Sequence, residues 1–257
     1  MLIDIGVNLS NSRFDKDRHE VLERARQAGV EKLILTGTSV AESEAVVELC
    51  REFGERFPAM LYATVGIHPH DAKALNKESM GILKGLAANP CVVAIGEMGL
   101  DFNRNFSTPA QQEKAFEAQL ELAAELQLPV FLHERDAANE FLELINQYRP
   151  GFSKAVVHCF TGTEAFLKQL LDLDIHIGIT GWICDERRGE HLQSAVKLIP
   201  NNRLMLETDS PYLLPRDMRP KPKSSRNEPA YLPHILQRVA HFRGQNADDL
   251  AQQTEAT

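Results

Sequence analysis

Eight short apolar segments rich in valine, isoleucine and leucine recur along the chain, and they constrain the fold more than any other feature of the sequence. Several are apolar without alternation, which is typical of strands buried on both faces of a parallel sheet. The predicted strands are Leu2 to Val7, Lys32 to Leu35, Leu61 to Ile67, Val92 to Ile95, Pro129 to Leu132, Lys154 to Val157, His176 to Ile179 and Arg203 to Leu206.

Segments of helical periodicity lie between these strands. The longest begins with Thr108, Pro109 and Gln111, whose spacing predicts a capping box with proline at the first helical position. The predicted helices are Arg18 to Gln27, Ala41 to Phe53, Ser79 to Ala88, Ala110 to Gln127, Ala137 to Gln147, Glu164 to Leu171, Gly189 to Leu198 and, after a proline-rich loop, about Pro229 to Phe242.

This repeated alternation has no linker, and it predicts an α/β fold with a single (β/α)8 TIM barrel domain over residues 1–257. Such barrels often have about 250 residues. An open doubly wound sheet would require a G-x-G-x-x-G loop after an early strand. The first strand instead continues as Ile5-Gly6-Val7-Asn8-Leu9, which lacks that motif.

The charge balance argues against a broad basic surface that coats long nucleic acids, because 28 basic and 36 acidic residues give a net charge of −8. An anionic substrate would need local compensation from bound cations, or from the five basic side chains between Pro215 and Pro229. The sequence has no membrane-spanning apolar run, no signal peptide and no C-x-x-C pair among its four cysteines. We therefore expect a cytoplasmic monomer with reduced thiols that does not enter a membrane.

Polar residues follow almost every predicted strand, and the carboxyl ends of barrel strands meet at one rim. Imidazole and carboxylate groups are common ligands of Zn²⁺, Mn²⁺ and similar ions. Without a cation, two carboxylates converging on a partly desolvated rim would repel each other. The pattern therefore predicts a divalent metal site. The residues at the strand ends are Asn8, Thr36 or Thr38, His68, Glu97, His133, His158, Thr180 and Asp209.

Four motifs resemble those of the TatD-type metal-dependent deoxyribonucleases, which are barrel members of the amidohydrolase superfamily. They are Val65 to His70, Ile95 to Phe102, His158 to Gly162 and Leu206 to Leu213, in matching order and spacing. The resemblance extends from about residue 2 to residue 250, and the segment Ile179 to Gly189 is similar to core members of the family rather than to distant relatives.

The resemblance implies a metal-dependent exonuclease that degrades single-stranded DNA from the 3′ end, with RNA as a further substrate and a role in DNA degradation or repair. Mg²⁺ is the implied physiological ion, and Mn²⁺ and Zn²⁺ are alternatives. The implied metal ligands are Glu97, His133 and His158, and Asp209 is implied as a ligand, a proton acceptor or both. The implied position of His68 is against the substrate phosphate.

One departure from the family pattern concerns the first strand. Many relatives carry a His-x-His or His-x-Asp pair there, whereas this chain has Asn8-Leu9-Ser10. We therefore expect one firm metal site and a weaker second position that fills when substrate phosphate supplies oxygens.

Phosphodiester hydrolysis needs a nucleophile at neutral pH and neutralisation of the charge on the phosphate, and cations supply both. The hypothesis is that a water on the ion attacks phosphorus, Asp209 accepts its proton and His68 steadies the phosphate or the leaving oxygen. Glu207, two residues before Asp209, is expected to support a metal ligand.

Other residues leave more than one interpretation. Asp101 either contacts the substrate or caps its own turn. Arg226, with Arg187 and Arg188, is a candidate phosphate contact. Trp182 and Phe160 either stack on bases or cover the core, and His70 is interpreted as a solvated loop residue.

Two rival functions remain open on sequence grounds. A small-molecule amidohydrolase or phosphoesterase on the same barrel would normally carry the first-strand histidine pair and often a modified lysine. A non-enzymatic accessory protein would be expected to have lost its ligands, whereas the central set is present.

Overall fold

The computed structural model describes residues 1–257, and its strands form one eight-stranded sheet in chain order. Four strand pairings are parallel: the third strand with the fourth, the fourth with the fifth, the fifth with the sixth, and the seventh with the eighth. The strands are β1 (Leu2–Val7), β2 (Val30–Leu35), β3 (Leu61–Val65), β4 (Val92–Asp101), β5 (Val130–Arg135), β6 (Ala155–Val157), β7 (His176–Ile179) and β8 (Leu204–Leu206).

Helices follow the strands as the periodicity predicts. The predicted capping box is confirmed, because the Thr108 hydroxyl accepts from the Gln111 N–H and the Gln111 side chain accepts from the Thr108 N–H. The α-helices are α1 (Arg18–Gln27), α2 (Val40–Gly54), α3 (Lys77–Leu86), α4 (Pro109–Leu126), α5 (Ala138–Tyr148), α6 (Glu164–Asp172), α7 (Glu190–Ala195), α8 (Leu232–Arg243) and α9 (Ala247–Ala256).

Short 3-10 helices occupy several connections that the periodicity did not predict. The predicted helix from Gly189 to Leu198 is divided into α7 and a 3-10 turn. The 3-10 segments are Ser12–Phe14, Pro69–Ala74, Arg149–Gly151, Gly181–Cys184, Val196–Leu198, Asn201–Arg203 and Pro229–Tyr231. None of the nine α-helices has the length and apolar character that crossing a membrane requires.

The first and last strands of the sheet lie side by side. Val7 forms a parallel bridge with Ser210. The N–H of Asn8 donates to the carbonyl of Ser210 at 2.8 Å, and the N–H of Asp209 donates to the carbonyl of Gly6 at 2.9 Å. Because β1 thus follows β8 around the sheet, the fold is the predicted (β/α)8 barrel.

Contacts between residues divide the chain into two compact units. One comprises Met1–Ile34, His158–Leu171 and His176–Thr257, and the other comprises Leu35–Val157 and Asp172–Ile175. The prediction of a single domain over residues 1–257 stays a prediction.

Each unit has an apolar core of its own. In the first, Ile177, Leu204 and Val239 are fully buried. In the second, Phe116 of α4 and Phe141 of α5 are fully buried, and their rings are stacked with centroids 5.4 Å apart. Removing one such ring typically costs about 3–5 kcal/mol of stability, since both transfer free energy and a cavity are involved.

The strand β4 is longer than predicted, and this changes the position of one candidate ligand. It continues past Ile95 to Asp101, with an irregular register against β5 between Ile95 and Met98. Glu97 therefore lies within the strand rather than at its end. The apolar run breaks at Gly96, which is why the sequence pattern ended the strand too early.

Candidate metal centre

Three side chains on neighbouring strands converge at Glu97. His68 follows β3, Glu97 lies in β4 and His133 lies in β5, and their ligand atoms are all within 4.8 Å of one another. His133 Nδ1 is 2.9 Å and His68 Nε2 is 3.3 Å from the same carboxylate oxygen, Glu97 Oε1. We call His68, Glu97 and His133 the strand-end cluster.

A glycine allows β4 to lie close to His133. Gly99 has a φ of 142°, and a Cβ atom there would overlap the carbonyl oxygen of His133. Gly99 pairs with His133 in the parallel ladder between β4 and β5. The backbone conformation at Gly99 therefore fixes the position of His133 along β5 relative to Glu97 in β4.

His68 is held as a hydrogen-bond donor. Its Nδ1 accepts the backbone N–H of His70 at 3.1 Å, so in the neutral ring the proton is on Nε2, facing Glu97. Burial lowers the pKa of His68, although the Glu97 carboxylate works in the opposite direction. A ring nitrogen that carries a proton has no lone pair for a metal, so His68 suits a donor to substrate rather than a ligand.

Asp101 supports His133 from the side opposite Glu97. Its Oδ2 is 3.7 Å from His133 Nε2, and its Oδ1 accepts the backbone N–H groups of Asn103 and Arg104 at 3.0 and 3.1 Å. Burial works to raise the pKa of Asp101, but the neighbouring imidazoles of His133 and His70 and the backbone N–H of Arg104 hold that pKa below its usual range. Both interpretations of Asp101, a turn cap and a site residue, are therefore visible, while contact with substrate stays a prediction.

The position of His70 differs from the one that the sequence indicated. It was expected to be a solvated loop residue, but its Nε2 lies 2.7 Å from Asp101 Oδ2. The short 3-10 helix that begins at Pro69 turns the imidazole back toward β4, and no periodic pattern in the sequence signals that turn.

On the other unit, a buried carboxylate orients His158. Glu207 Oε2 lies 3.2 Å from His158 Nδ1, and Oε1 accepts the backbone N–H of Cys159. The proton is therefore on Nδ1 and the lone pair is on Nε2, which is the arrangement common in metal-ligating histidines. A Cβ atom at Gly178 would lie 2.5 Å from Glu207 Oε1, so glycine leaves room for this carboxylate. Glu207 therefore contacts His158, while its support of a metal ligand stays a prediction.

Asp209 is held by residues of the first strand and its extension. Asn8 Nδ2 donates to Asp209 Oδ1 at 3.0 Å, and Asp209 has a φ of 54°. The side-chain amide of Asn8 thus orients a carboxylate in this chain.

A buried network that the sequence analysis did not single out lies under Asp209. Asp4 accepts the Thr208 hydroxyl at 2.6 Å and the Thr208 N–H at 2.9 Å. Complete burial raises the pKa of Asp4 to about 8 in spite of these hydrogen bonds. The detectable signal was an aspartate within the apolar run of the first strand.

Arg226 is paired within the protein. Its guanidinium donates to both carboxylate oxygens of Asp17 at 2.6 and 2.7 Å, and it lies over the ring of Phe14. These contacts fix the end of the loop from Pro215 to Pro229, here called the basic loop, against the segment before α1. Contact of Arg226 with substrate stays a prediction, and it would require this ion pair to open.

The two candidate stacking residues differ in exposure. Phe160 is 2% exposed and stacks on Phe166, so it packs in the core. Trp182 is half-buried, and the guanidinium of Arg188 lies 4.5 Å from its ring centroid.

Trp182 and Arg188 line a cavity of about 240 Å³. Arg187 and Arg188 both pair with Asp185, whose pKa is held well below its usual range, chiefly by Arg187. The remaining residues of the lining are Gly181, Leu213, Leu214 and Arg216.

The model of the family described as TatD related DNase matches residues 3–257. The chain belongs to this family. A 3′-5′ ssDNA/RNA exonuclease TatD from Erwinia amylovora is 53% identical over 98% of this chain and 96% of that protein. The protein of the same name from Citrobacter rodentium is also 53% identical, over 99% of this chain and 95% of that protein.

Among solved structures, a TatD family hydrolase from Entamoeba histolytica has a TM-score of 0.90 and 26% identity, covering 100% of this chain and 96% of that one.

Proposed function

We propose that this TatD family protein is a metal-dependent 3′-5′ exonuclease that hydrolyses single-stranded DNA, with RNA as a second substrate. The convergence of His68 and His133 on Glu97 carries the proposal, because it supplies both metal-ligating and proton-donating groups at one point. The 53% identity to proteins named 3′-5′ ssDNA/RNA exonuclease TatD supports the choice of substrate and direction.

The donor set fits a divalent cation. Glu97 Oε1 and His133 Nδ1 face each other at 2.9 Å, a separation at which an ion can replace the shared proton. Glu207 keeps His158 oriented through Nδ1, and the Asp101 carboxylate lies 3.7 Å from His133 Nε2, where it favours the orientation that turns Nδ1 toward Glu97. We assign the metal to Glu97, His133, His158 and Asp209, with Mg²⁺ as the physiological ion and Mn²⁺ or Zn²⁺ as substitutes.

A bound divalent ion would activate water and neutralise charge on the phosphate. Around it, the side chains of the protein have separate tasks. His68 donates its Nε2 proton in a hydrogen bond to a phosphate oxygen, in place of Glu97. Asp209, oriented through Oδ1 by Asn8, accepts the proton of the attacking water.

Substrate binding is assigned to His68, Asp101 and Arg226. The basic loop supplies positive charge in a protein whose net charge is −8, so we expect the footprint on nucleic acid to be short. The assignment of Asp101 is supported by its place in the site, where Oδ2 lies 2.7 Å from His70 Nε2 and 3.7 Å from His133 Nε2.

The remaining assignments concern organisation. We propose that the chain acts as one domain over residues 1–257. We also propose that it is a monomer, and light scattering of the purified protein would test its oligomeric state. A cytoplasmic location and a role in DNA degradation or repair stay predictions.

The test uses metal-stripped protein and a single-stranded DNA oligonucleotide labelled at either end, with Mg²⁺, Mn²⁺ or Zn²⁺ added back separately. We expect the 5′-labelled strand to give a ladder of shortening products and the 3′-labelled strand to release labelled mononucleotide first. Glu97→Gln protein is the matched control. The opposite pattern of labels, or internal fragments from the start, would refute the proposed direction.

A further inference from the structure

A second group of metal-ligating side chains lies outside the strand-end cluster. Cys184, Asp217 and His234 bring a sulfur, an oxygen and a nitrogen atom within 4.8 Å of one another. Cys184 ends the 3-10 helix Gly181–Cys184, Asp217 lies in the loop after β8, and His234 lies in the first turn of α8. We call these three residues the loop cluster.

The carboxylate of Asp217 is oriented from both sides. His234 Nε2 lies 2.7 Å from Oδ1, and Arg238 Nε lies 2.7 Å from Oδ2. Arg238 therefore holds one carboxylate oxygen and leaves the other toward Cys184 and His234. This is the arrangement in which a neighbouring group orients a ligand.

From these contacts we infer that the loop cluster is a structural site for a zinc-like divalent ion, held by Cys184 Sγ, Asp217 Oδ1 and His234 Nε2. Sulfur and imidazole ligands favour Zn²⁺ over Mg²⁺, and a carboxylate completes a common mixed set. On binding, the ion displaces the thiol proton of Cys184 to solvent, and the proton on Nε2 of His234 moves to Nδ1. Solvent supplies the fourth ligand.

The charges around the site are compatible with a cation. A thiolate and a carboxylate contribute two negative charges, and Arg238 contributes one positive charge. The net charge of these three groups is therefore negative, which favours binding of a divalent cation. Without an ion, Asp217 is shared between Arg238 and His234.

The site would connect the loop after β8 and the 3-10 helix Gly181–Cys184 to the first turn of α8. Two residues that line the 240 Å³ cavity are close in sequence to the loop cluster. Trp182 is two residues before Cys184, and Arg216 is adjacent to Asp217. Occupancy should therefore hold the basic loop against α8. This role is independent of the proposed nuclease reaction.

The test uses Co²⁺ as a spectroscopic substitute for Zn²⁺, added to the metal-stripped full chain. Only a site with a cysteine ligand gives a sulfur-to-cobalt charge-transfer band, and the proposed catalytic ligands include no sulfur. We expect the band in the wild-type protein and in Glu97→Gln. We expect it to be lost in Cys184→Ser, together with one equivalent of bound Zn²⁺.

Two further variants distinguish the site from cysteine binding in general. Cys50→Ser, which alters a buried cysteine in α2, should keep the band. His234→Gln, on the half-exposed side of α8, should weaken Co²⁺ binding by more than about 10-fold, the low end of what even outer-shell changes cost. Absence of the band in wild type, or its persistence in Cys184→Ser, would overturn the inference.

Limited trypsin digestion gives a readout that requires no spectroscopy and no nuclease activity. Cleavage after Arg216 and Lys223, in the basic loop, should slow at least several-fold when Zn²⁺ is added to wild-type protein. The same cleavage should be insensitive to Zn²⁺ in Cys184→Ser. Equal protection by Zn²⁺ in both proteins would contradict a site at Cys184.

Discussion

The strand-end cluster and the loop cluster each bring together three side chains of types that can bind a metal, but different parts of the backbone hold them. Glu97 and His133 lie in adjacent parallel strands, where main-chain hydrogen bonds fix their separation before any ion binds. Cys184, Asp217 and His234 lie on a 3-10 turn, a loop and a helix. Their relative positions depend largely on their own side-chain contacts.

This difference separates what a metal ion does at each place. At a site built on a sheet, the scaffold is preorganised and the ion supplies chemistry. At a site built on loops, part of the binding free energy of the ion is folding free energy of those loops. Loss of metal should therefore remove activity in the first case and local order in the second.

The largest effect is expected from Glu97→Gln in the strand-end cluster. Removing the charge that both histidines contact should lower kcat/KM by at least about 1,000-fold, which corresponds to about 4 kcal/mol. The melting temperature should change little, because β4 keeps its backbone pairing. Steady-state hydrolysis of a labelled oligonucleotide measures the loss, and a variant with more than about a tenth of wild-type activity would contradict the assignment.

A smaller effect is expected from His68→Gln, because its proposed role is donation to the phosphate. Loss of one such donor typically lowers kcat by about 100-fold. The concentration of Mg²⁺ needed for half-maximal activity should stay the same, since Nε2 is not assigned to the metal. The control is His19→Gln, which alters a half-buried histidine that pairs with Glu23 in α1. A shifted metal requirement in His68→Gln would make His68 a ligand instead.

Glu207→Gln should have its effect on metal binding rather than on the chemical step. The buried carboxylate orients His158, and outer-shell changes of this kind cost about 10- to 100-fold in metal affinity. Activity should recover as the metal concentration is raised. Asp101→Asn tests the equivalent support of His133, and thermal melts check that both variants fold. An unchanged metal requirement in both would show that these carboxylates do not position the ligands.

The smallest effect concerns the ion pair between Asp17 and Arg226, which fixes the end of the basic loop. Hydrogen bonding from Arg226 lowers the pKa of Asp17 from 3.8 to about 2. A carboxyl group whose pKa is depressed on folding contributes stability above pH 3.8, and that contribution is lost as the pH falls toward 2. The pair is partly exposed, so Asp17→Asn should cost no more than about 1 kcal/mol near neutrality.

Urea unfolding of wild type and Asp17→Asn at several pH values checks this window. The difference between the two proteins should shrink between pH 3.8 and about 2. A difference that stays constant as the pH falls would rule out the ion pair as its source. The same variant removes the ion pair of Arg226 with Asp17 and leaves its contacts with Glu228 and the Arg13 carbonyl, so a lower KM for DNA would support its proposed contact with substrate.

The eight-stranded barrel was predictable because strands buried on both faces leave continuous apolar runs. The proximity of His68, Glu97 and His133 was predictable for a related reason, since polar side chains that end neighbouring runs converge at one rim. The extension of β4 to Asp101 was not, because glycines that permit close approach interrupt the apolar pattern.

Contacts between irregular segments were the least predictable part. Arg226 is 209 residues from Asp17, and neither position belongs to a periodic element that would indicate the pairing. The cysteines were interpreted as scattered thiols because metal sites are recognised in sequence by short spacings. Cys184, Asp217 and His234 have no such spacing, so only the fold brings them together.

We propose that Glu97, His133 and His158 bind a single divalent ion, and anomalous scattering from crystals soaked in Mn²⁺ tests this assignment most directly. We expect one strong anomalous peak about 2.0–2.2 Å from Glu97 Oε1, His133 Nδ1 and His158 Nε2, which is the usual distance range for carboxylate and imidazole ligands. A peak bound only by other residues would contradict the proposed site. Three side chains that lie too far apart to share an ion would also contradict it.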